Sequence, residues 1–504
     1  MLGTLAPQVN SAVDVVVVGS GPVGSAFART VYERDPSLRI LMLEAGPQLT
    51  ARPGVHVKNI RDGDARDRAQ LLSEGPGAEA AAATAAADGA PEAGRARAGT
   101  AFIDRDNDAF PDGAISTNVG GMGAHWTCAC PRPGDGERIP FVPDDELEAL
   151  LAHAERVLSV RSDVYVDSPE GAAILDTLAA SYDGGLPGGR KVARMPLACA
   201  RDEAGDPYWT GTDVVLGPLA DGEADVFELR ADTLVRRLVV DGVRVRSVEV
   251  EHRPTGRREA ITARSVFVAA DAIRTPQLLW ASGIRPRALG RYLNDHTQVI
   301  CGVKLDRQLV HGVGGADLRR DGDPFVGVFW VPYSAARHPF HGQVMHLELS
   351  PIEIVPDAPP TEHVVGLGWF IAKDVRPEDR VTFSDTEADA YGMPRPHIEY
   401  TLTERDRDGI AAAIEDQARG ASALGEQVPG RGPTLVPPGS SLHYQGTTRM
   451  GDADDGESVC DSHARVWGFD NLFVGGNGVI PTPTATNPTL TSVALAIRAA
   501  EAVA

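Results

Sequence analysis

The sequence predicts an α/β protein with a parallel sheet in one domain and a large antiparallel sheet, with helices, in a second domain. Three observations support this prediction. Residues 13–18 and 39–44 are apolar, β-branched strand candidates that flank a helical stretch at 25–33, which makes one β–α–β unit. Residues 227–270 are rich in further strand candidates. Residues 299–402 alternate apolar and polar side chains, as strands of an antiparallel sheet do.

Other elements follow along the chain. Residues 144–158 carry apolar side chains at the spacing of one helix face, after a Pro-Asp start. Individual strands are predicted at 235–240, 243–250, 265–270, 363–369 and 471–474, and a closing Ala-rich helix at 490–504. Residues 61–99 differ in composition, and 75–99 are mainly Ala, Gly and Glu. Such a segment predicts either a disordered insertion or a mobile lid over a site.

Composition and charge exclude several classes of protein. The 504 residues allow about three domains at roughly 150 residues each, and the 42% of hydrophobic residues suffice for a core. The net charge of −22 would repel a nucleic-acid backbone. No apolar run approaches the roughly 18 residues that span a bilayer. We therefore expect a soluble protein without nucleic-acid or membrane partners.

The cysteines do not indicate a disulfide framework or a metal site. A C-x-C pair is present, but no second close pair completes a zinc site, and the odd count leaves one thiol unpaired. The five are Cys128, Cys130, Cys199, Cys301 and Cys460. Free buried thiols and the lack of a basic segment before the first apolar run favour a cytoplasmic protein without a secretory signal.

A glycine motif opens the first helix. Gly19, Gly21 and Gly24 form G-x-G-x-x-G directly after a buried strand. In a Rossmann-like unit the first glycine makes the tight turn, the second lets backbone approach a pyrophosphate and the third lets helix pack on strand. Glu44 ends the next strand about 20 residues later, where a carboxylate accepts the ribose hydroxyls. The pattern predicts an adenine-dinucleotide site, and Glu44 argues against a 2′-phosphate.

A second glycine cluster favours a flavin over a nicotinamide. The segment Asn118-Val-Gly-Gly-Met-Gly-Ala-His-Trp-Thr127 contains Gly120 and Gly121, and such a cluster lets backbone lie flat against a bulky planar ligand. The sequence Glu44-Ala-Gly-Pro47 is typical of flavoproteins. The alternative is an ordinary glycine-rich turn.

These motifs resemble those of the GMC (glucose–methanol–choline) flavin oxidoreductases, and within that family the pyranose oxidases and bacterial glycoside 3-oxidases. The resemblance spans almost the whole chain in family order. Its segments are the first motif with Glu44, 120–128, 290–296, 442–451, and 471–478 through 487–490. It implies a Rossmann-like FAD-binding domain and a substrate domain on a large antiparallel sheet. The implied FAD-binding domain comprises 1–165, 225–297 and 440–504, and the substrate domain 166–224 and 298–439.

The resemblance also implies two catalytic residues. His443 occupies the family's catalytic His position, and Asn487 its partner position, where pyranose oxidases have Asn and most members have His. A neutral imidazole can take the proton of an alcohol, and an Asn side chain can hydrogen-bond the alcohol oxygen and orient the C–H bond. The alternatives are an ordinary buried His443 and a helix-capping role for Asn487, and capping could coexist with catalysis.

Further cofactor contacts are implied by position. Besides the glycines and Glu44, they are His125, Thr127, Val235, Asn477 and Thr489. His125 stands where fungal pyranose oxidases attach FAD covalently. Because Gly123-Ala124 departs from the fungal pattern, we expect non-covalent FAD, with a covalent link through His125 as the alternative. Val235 could equally be plain strand core. The resemblance implies a structural contact near the flavin for Asn294-Asp-His296.

The expected activity is FAD-dependent oxidation of a secondary ring hydroxyl of a sugar or glycoside, carbon 3 first and C-glycosides included, to a ketone. Oxygen or a quinone is the expected acceptor. The alternatives are a pyranose 2-oxidase acting on free monosaccharides, an NAD-dependent dehydrogenase, and a flavin-binding protein without turnover. Tyr391 and His397 lie in a region that faces substrate in relatives. The sequence does not predict an oligomeric state.

Overall fold

The structure is a computed structural model that describes residues 9–74, 99–104, 107–166, 169–222, 224–306, 309, 325–347 and 364–503. Its strands are β1 Val9–Val18, β2 Ile40–Leu43, β3 Gly99–Phe102, β4 Ala114–Thr117, β5 Val160–Arg161, β6 Ala193–Arg194, β7 Leu197–Arg201, β8 Pro207–Trp209, β9 Phe227–Arg230, β10 Thr233–Asp241, β11 Arg244–His252, β12 Arg257–Val268, β13 Thr297–Leu305, β14 Phe325–Val331, β15 Phe340–Leu347, β16 Val364–Ile371, β17 Arg380–Ala388, β18 Pro394–Glu399, β19 Gly425–Gln427, β20 Thr434–Leu435 and β21 Leu472–Val474. Its helices are α1 Pro22–Arg34, α2 Gly63–Glu74, α3 Asp144–Val157, α4 Pro169–Tyr182, α5 Thr212–Leu216, α6 Asp271–Ala281, α7 Glu404–Leu424 and α8 Thr489–Glu501.

The first sheet has the order β10-β11-β12-β1-β2-β9, and β21 also pairs with β12. The neighbours β21, β12, β1, β2 and β9 are parallel, whereas β10, β11 and β12 form an antiparallel meander. The central strands are buried along their length, as expected for a parallel sheet covered on both faces. Helices α1 and α8 pack against each other, and α3 packs on α8. This arrangement confirms the predicted α/β class.

The second sheet is antiparallel, with the order β19-β13-β16-β15-β14-β6, and β20 also pairs with β13. Its two faces differ in chemistry because side chains alternate along each strand. One face carries Phe329, Val344 and Trp369, which form a core with helix α7. The other face carries Trp330, His341, Gln343 and Phe370, and it looks toward the candidate site described below.

Local sequence explains where the two long surface helices begin. Helix α3 follows Pro143 and has Asp144, Asp145 and Glu146 in its first turn, where negative side chains favour the positive end of the helix dipole. Helix α7 begins with a capping box, in which Thr403 and Asp406 each accept the other's backbone N–H. Sequence analysis did not single out α6 or α7.

The predicted insertion at 61–99 is in part regular structure. Residues 63–74 form helix α2, and residues 99–102 form β3, which pairs with β4. The Ala- and Gly-rich remainder, residues 75–98, lies outside the described residues, so its lid role stays a prediction. All five cysteines are buried, and none of them forms a disulfide bond. Within the described part of the chain, no helix is long and apolar enough to cross a membrane.

Candidate active site

The G-x-G-x-x-G turn joins β1 to α1 as its sequence predicts. Gly19 has φ +101°, and a Cβ there would lie 2.3 Å from the Ala269 carbonyl oxygen. A Cβ on Gly24 would lie 2.1 Å from the Gly19 carbonyl oxygen, so the helix can pack this closely only with glycine. Gly21 precedes the first turn of α1, and a Cβ on it would have the Gly120 carbonyl oxygen as its nearest neighbour, at 4.0 Å. The two glycine clusters therefore lie against each other.

Ser20 ties these clusters to Glu44. Its hydroxyl donates to the Glu44 carboxylate at 2.7 Å and accepts from the Gly120 backbone N–H at 2.9 Å. The same carboxylate accepts the backbone N–H groups of Ser20 and Gly46. Burial raises the pKa of Glu44, although these three bonds oppose the shift. Glu44 thus holds the nucleotide loop and keeps further lone pairs for another donor. Sequence analysis missed Ser20, although its place between two motif glycines was a signal.

The second cluster carries buried polar atoms that have no hydrogen-bond partner among the described residues. Gly120 and Gly121 have φ +96° and +51°, which glycine adopts without strain. The His125 Nε2 lies 3.1 Å from the Met122 sulfur, and desolvation lowers the pKa of His125 to about 4. His125 Nδ1 and Asn118 Oδ1 are buried without a hydrogen-bond partner in the described structure. Thr127 follows as an exposed side chain.

The remaining cofactor residues predicted by position lie on three different elements. Val235 is buried in β10 opposite Val250, so its side chain belongs to the core and its backbone role stays a prediction. Asn477 accepts a hydrogen bond from the Ser492 hydroxyl at 2.6 Å, which links its loop to α8. Thr489 is the first residue of α8 and stands at the positive end of that helix.

The ring of His443 contacts two other polar side chains. Its Nδ1 is 3.0 Å from the Nδ1 of His296, and its Nε2 is 3.4 Å from the Asn487 Nδ2. Desolvation lowers the pKa of His443 to about 4 and that of His296 well below its usual range. Both rings are therefore neutral near pH 7. The side-chain contact between the two histidines was not foreseen from the sequence, which indicated only a structural contact for residues 294–296.

Asn487 joins His443 to the polar face of the second sheet. Its Oδ1 accepts from Gln343 Nε2 at 2.5 Å, and Gln343 lies 3.0 Å from the Nε2 of His341. Trp330 donates its indole N–H to His341 Nδ1 at 3.1 Å. Burial lowers the pKa of His341 to about 3, so this ring too is neutral. The predicted capping role of Asn487 is wrong: Pro488 occupies the N-cap of α8 and the Asn487 side chain points to these partners.

Phe370 closes the apolar side of this group. Its ring centroid lies 5.5 Å from that of His443, 5.7 Å from that of His341 and 5.8 Å from that of His296. Desolvation by such neighbours keeps the imidazoles uncharged. The sequence of β15 has polar residues at alternate positions and lies next to an aromatic strand. This pattern indicates the polar face of the second sheet, but sequence analysis did not use it.

Two buried carboxylates, of Asp295 and Glu137, bind the loops that carry His443 and Asn487. The Asp295 carboxylate accepts the Ser441 hydroxyl and the backbone N–H groups of Gly439 and His443, both at 3.1 Å. The Glu137 carboxylate accepts the backbone N–H of Ala485 at 2.7 Å. It also accepts the backbone N–H and the hydroxyl of Thr486, each at 2.8 Å.

Two residues in the region that the resemblance placed near substrate make contacts of a different kind, and their role toward substrate stays a prediction. Tyr391 stacks between the guanidinium groups of Arg253 and Arg274, at 4.5 and 4.2 Å, and Arg253 donates to the Ala45 carbonyl. Tyr391 is therefore beside the nucleotide end of the site. His397 is 48% exposed on β18 and pairs with Glu387. Within the described residues, no group of His, Cys, Asp and Glu side chains could hold a metal ion.

Comparison with known proteins assigns the chain to a family. Residues 138–298 and 376–496 match the N- and C-terminal family models described as GMC oxidoreductase. C-glycoside 3-oxidases of Arthrobacter globiformis and Microbacterium trichothecenolyticum are 48% and 47% identical, over 98% of this chain and 95% and 96% of theirs. The chain is a GMC oxidoreductase. A pyranose 2-oxidase of Tricholoma matsutake is 34% identical to this GMC oxidoreductase, over 97% of this chain and 93% of its own. Formate oxidase of Aspergillus oryzae shares the fold, with TM-score 0.66, 15% identity and coverage of 98% of each chain.

The residues present fit the FAD of a GMC oxidoreductase. A pyrophosphate can approach the glycine turn at the N-terminus of α1, and Glu44 can accept from a ribose. The unpartnered Asn118 Oδ1 and His125 Nδ1 beside the second glycine cluster supply polar atoms for a ligand at that place. A Cβ on Gly476, which has φ +98°, would meet no described atom within 4 Å. The alternative of an NAD-dependent dehydrogenase is thereby wrong for this chain, whose family is that of flavoenzymes.

Proposed function

We propose that this GMC oxidoreductase oxidises the hydroxyl at carbon 3 of a glycoside, C-glycosides included, to a ketone. The observation that supports this most directly is the junction of His443 and Asn487 with the polar sheet face of Gln343, His341 and Trp330. A base and several hydrogen-bonding side chains converge there, as a polyol ring requires. The C-glycoside 3-oxidases that are nearly half identical to this chain act, by their name, at that carbon.

His443 takes the proton of the reacting hydroxyl. For this the Nε2 must be unprotonated, so the proton of the neutral ring resides on Nδ1 and is donated to His296 Nδ1. His296 must then carry its own proton on Nε2, where the Thr484 hydroxyl oxygen at 3.0 Å can accept it. The Gln445 side-chain amide is also 3.0 Å from this nitrogen, and in this tautomer it turns its oxygen, not its NH₂, toward the ring. His296 is in this way a positioning residue that selects the reactive tautomer of the base. Because the pKa of His443 is held at about 4, the base is available throughout the neutral range.

Asn487 and Gln343 orient the sugar. The Asn487 amide lies beside the base and can donate to the reacting oxygen, and the bond from Gln343 fixes the direction of this amide. When bound, FAD supplies the acceptor for the hydride that leaves the carbon. The hydroxyl proton stays with His443 until it exchanges with solvent. Oxygen or a quinone would serve as the final electron acceptor, with hydrogen peroxide or the hydroquinone as the reduced product.

FAD is held without a covalent bond in this proposal. His125 Nε2 is engaged by Met122, while the neighbouring Gly123 and Ala124 differ from the fungal attachment pattern. Acid precipitation of the holoprotein should release yellow FAD into the supernatant. Colour that remains in the pellet would instead show a covalent link, and His125→Ala would then identify its attachment point.

The substrate is neutral and the protein cytoplasmic in this proposal. The net charge of −22 disfavours anionic sugars and anionic acceptors over neutral ones. Five buried cysteines without a disulfide are usual in a reducing compartment. Cell fractionation against marker enzymes tests the location.

The decisive experiment is a substrate screen with the purified holoenzyme. Free glucose, O-aryl glucosides and C-aryl glucosides are each mixed anaerobically with the enzyme, and flavin bleaching is followed by absorbance. NMR of turnover products, with oxygen and with a quinone, then locates the ketone. We expect glycosides to bleach the flavin and the ketone to lie at carbon 3. Preferential oxidation of free glucose at carbon 2 would support a pyranose 2-oxidase, and no bleaching by any sugar would overturn the proposal.

A further inference from the structure

We propose that Asp295 is a positioning residue whose ionised carboxylate holds the loop of the catalytic base, so that its protonation slows substrate oxidation. This inference rests on the proposed role of His443 as that base. The side chain of Asp295 is bound by Gly439, Ser441 and His443, and it acts through this loop and through its neighbour His296.

The geometry shows what the carboxylate does. Its Oδ1 accepts the backbone N–H of His443 and the hydroxyl of Ser441, and its Oδ2 accepts the backbone N–H of Gly439. Three donors of one short loop thus converge on a single side chain. Leu442 lies between these donors with φ +59°, a left-handed conformation that is strained for a non-glycine residue. The bonds to Asp295 offset this strain and fix the backbone from which the His443 ring projects.

In the described part of the chain, no cationic side chain forms an ion pair with the Asp295 carboxylate. Asp295 itself is 1% exposed. The titratable groups packed around it are His296, His443, Tyr400, whose hydroxyl donates to the Asp295 carbonyl, and Tyr444. Burial raises the pKa of both tyrosines, so they are neutral, and both imidazoles are neutral as well. Hydrogen bonds alone stabilise the charge.

Such a carboxylate titrates near neutrality. Burial raises the pKa of Asp295 to about 7, against the hydrogen bonds of Ser441 and of the backbone N–H groups, which lower it. Protonation places a hydrogen among three donors, so at least one bond to the loop is lost. The pKa of His443 is about 4. The acid limb of the oxidation rate should therefore lie near pH 7, set by Asp295, and not near 4, where the base itself titrates.

The experiment measures the rate of flavin reduction by a saturating C-aryl glucoside in anaerobic stopped flow between pH 5 and 9. In the wild type we expect the rate to fall as the pH drops through about 7. Asp295→Asn cannot titrate, so its rate should be lower at pH 8, by roughly 10–100-fold, and its acid limb should move down toward 4. An acid limb near 4 in the wild type would overturn the proposal.

Ser441→Ala should move the acid limb of the rate of flavin reduction to higher pH, opposite to the shift expected for Asp295→Asn. This variant removes one hydrogen bond to the charged form of Asp295, so the pKa of Asp295 rises and the acid limb should shift above 7. Ser440→Ala is the matched control, because the Ser440 hydroxyl donates to Asp112 and not to Asp295. Its limb should coincide with that of the wild type. A limb that stays in place in Ser441→Ala would contradict the proposal even if Asp295→Asn fails to fold.

A measurement without substrate separates this proposal from the proposed function. Difference infrared spectra of the holoenzyme between pH 5 and 9 should show a carboxyl C=O band that appears near pH 7 and is missing in Asp295→Asn. If the band is present but no glycoside reduces the flavin, the proposed function fails and the anchoring carboxylate stands. If glycosides are oxidised but the band is absent, the role of Asp295 fails alone.

Discussion

The loop at 439–443 and the loop at 482–487 bring the two catalytic side chains to the same place by different means. Asp295 holds the first loop by three bonds, and Leu442 within it is left-handed. Glu137 holds the second by three bonds, and a fourth, from the Gly134 N–H at 2.5 Å, fixes the carboxylate itself.

The difference between the loops concerns strain and distance. The segment 482–487 contains no left-handed non-glycine residue, and its anchor comes from a part of the chain about 350 residues earlier. The base loop is strained and held by a carboxylate whose pKa is raised to about 7. It follows that the base can be displaced by a single protonation, whereas the amide is held by a larger network that reaches Gln343 as well. We therefore expect pH to affect the position of His443 more than that of Asn487.

The largest effect is expected from removing the base. His443→Ala should slow flavin reduction by something like 10²–10⁴-fold, because it removes the imidazole that takes the hydroxyl proton in the proposed mechanism. Flavin content should remain nearly full, since the side chain contacts His296 and Asn487 and not the nucleotide loop. Anaerobic stopped flow and the flavin-to-protein absorbance ratio measure both. Bleaching at the wild-type rate would remove His443 from the mechanism.

The next largest effect is expected at the amide. Asn487→Asp should slow reduction by about 10²-fold, because a carboxylate replaces a donor by an acceptor and repels negative charge developing on the substrate oxygen. The hydrogen bond from Gln343 should remain in this variant, because an aspartate oxygen can accept it in place of the Asn487 oxygen. Measured under the same conditions, a rate equal to that of the wild type would assign Asn487 a packing role only.

The buried, neutral His341 of the second sheet predicts a dependence of stability on pH. The pKa of His341 is about 3 in the folded chain and about 6.5 when unfolded, so the unfolded chain binds more protons between these values. Stability is therefore lost as the pH falls below 6.5. At pH 5 this residue alone should cost about 2 kcal/mol of the free energy of unfolding. Asp295, whose folded pKa is raised, acts in the opposite direction.

Denaturant unfolding at pH 7.5 and pH 5 measures this loss. His341→Gln keeps an acceptor for the Trp330 N–H but cannot be protonated in the unfolded state, so its loss between the two pH values should be smaller by that amount. An equal loss in the variant and in the wild type would show that the ring is not buried as neutral imidazole.

Sequence analysis could predict the residues that stand in motifs, but it could not predict the carboxylates that anchor the two loops. The glycine turn and Glu44 stand in a motif whose spacing has a local physical reason. His443 and Asn487 were predicted from the resemblance to the GMC family, and the structure brings these two together. Glu137 stands in no motif. Its partners are set only when the chain closes, so no local pattern reports the contact. Asp295 lies in a recognised segment, but its role depends on three donors that meet it in the folded chain.

The smallest effect is expected at the second anchor, and it tests the contrast between the loops most directly. Glu137→Gln keeps one acceptor oxygen but places an amide nitrogen among four donors, so the segment before Asn487 should shift slightly. We expect reduction about tenfold slower, with an acid limb at the wild-type pH because Asp295 is untouched. Thr486→Val is the matched control, since it removes one hydroxyl donor and leaves the carboxylate, and it should slow reduction less. Should the limb of Glu137→Gln move as that of Asp295→Asn is expected to, pH sensitivity would belong to both loops, and the distinction between a displaceable base and a fixed amide would be lost.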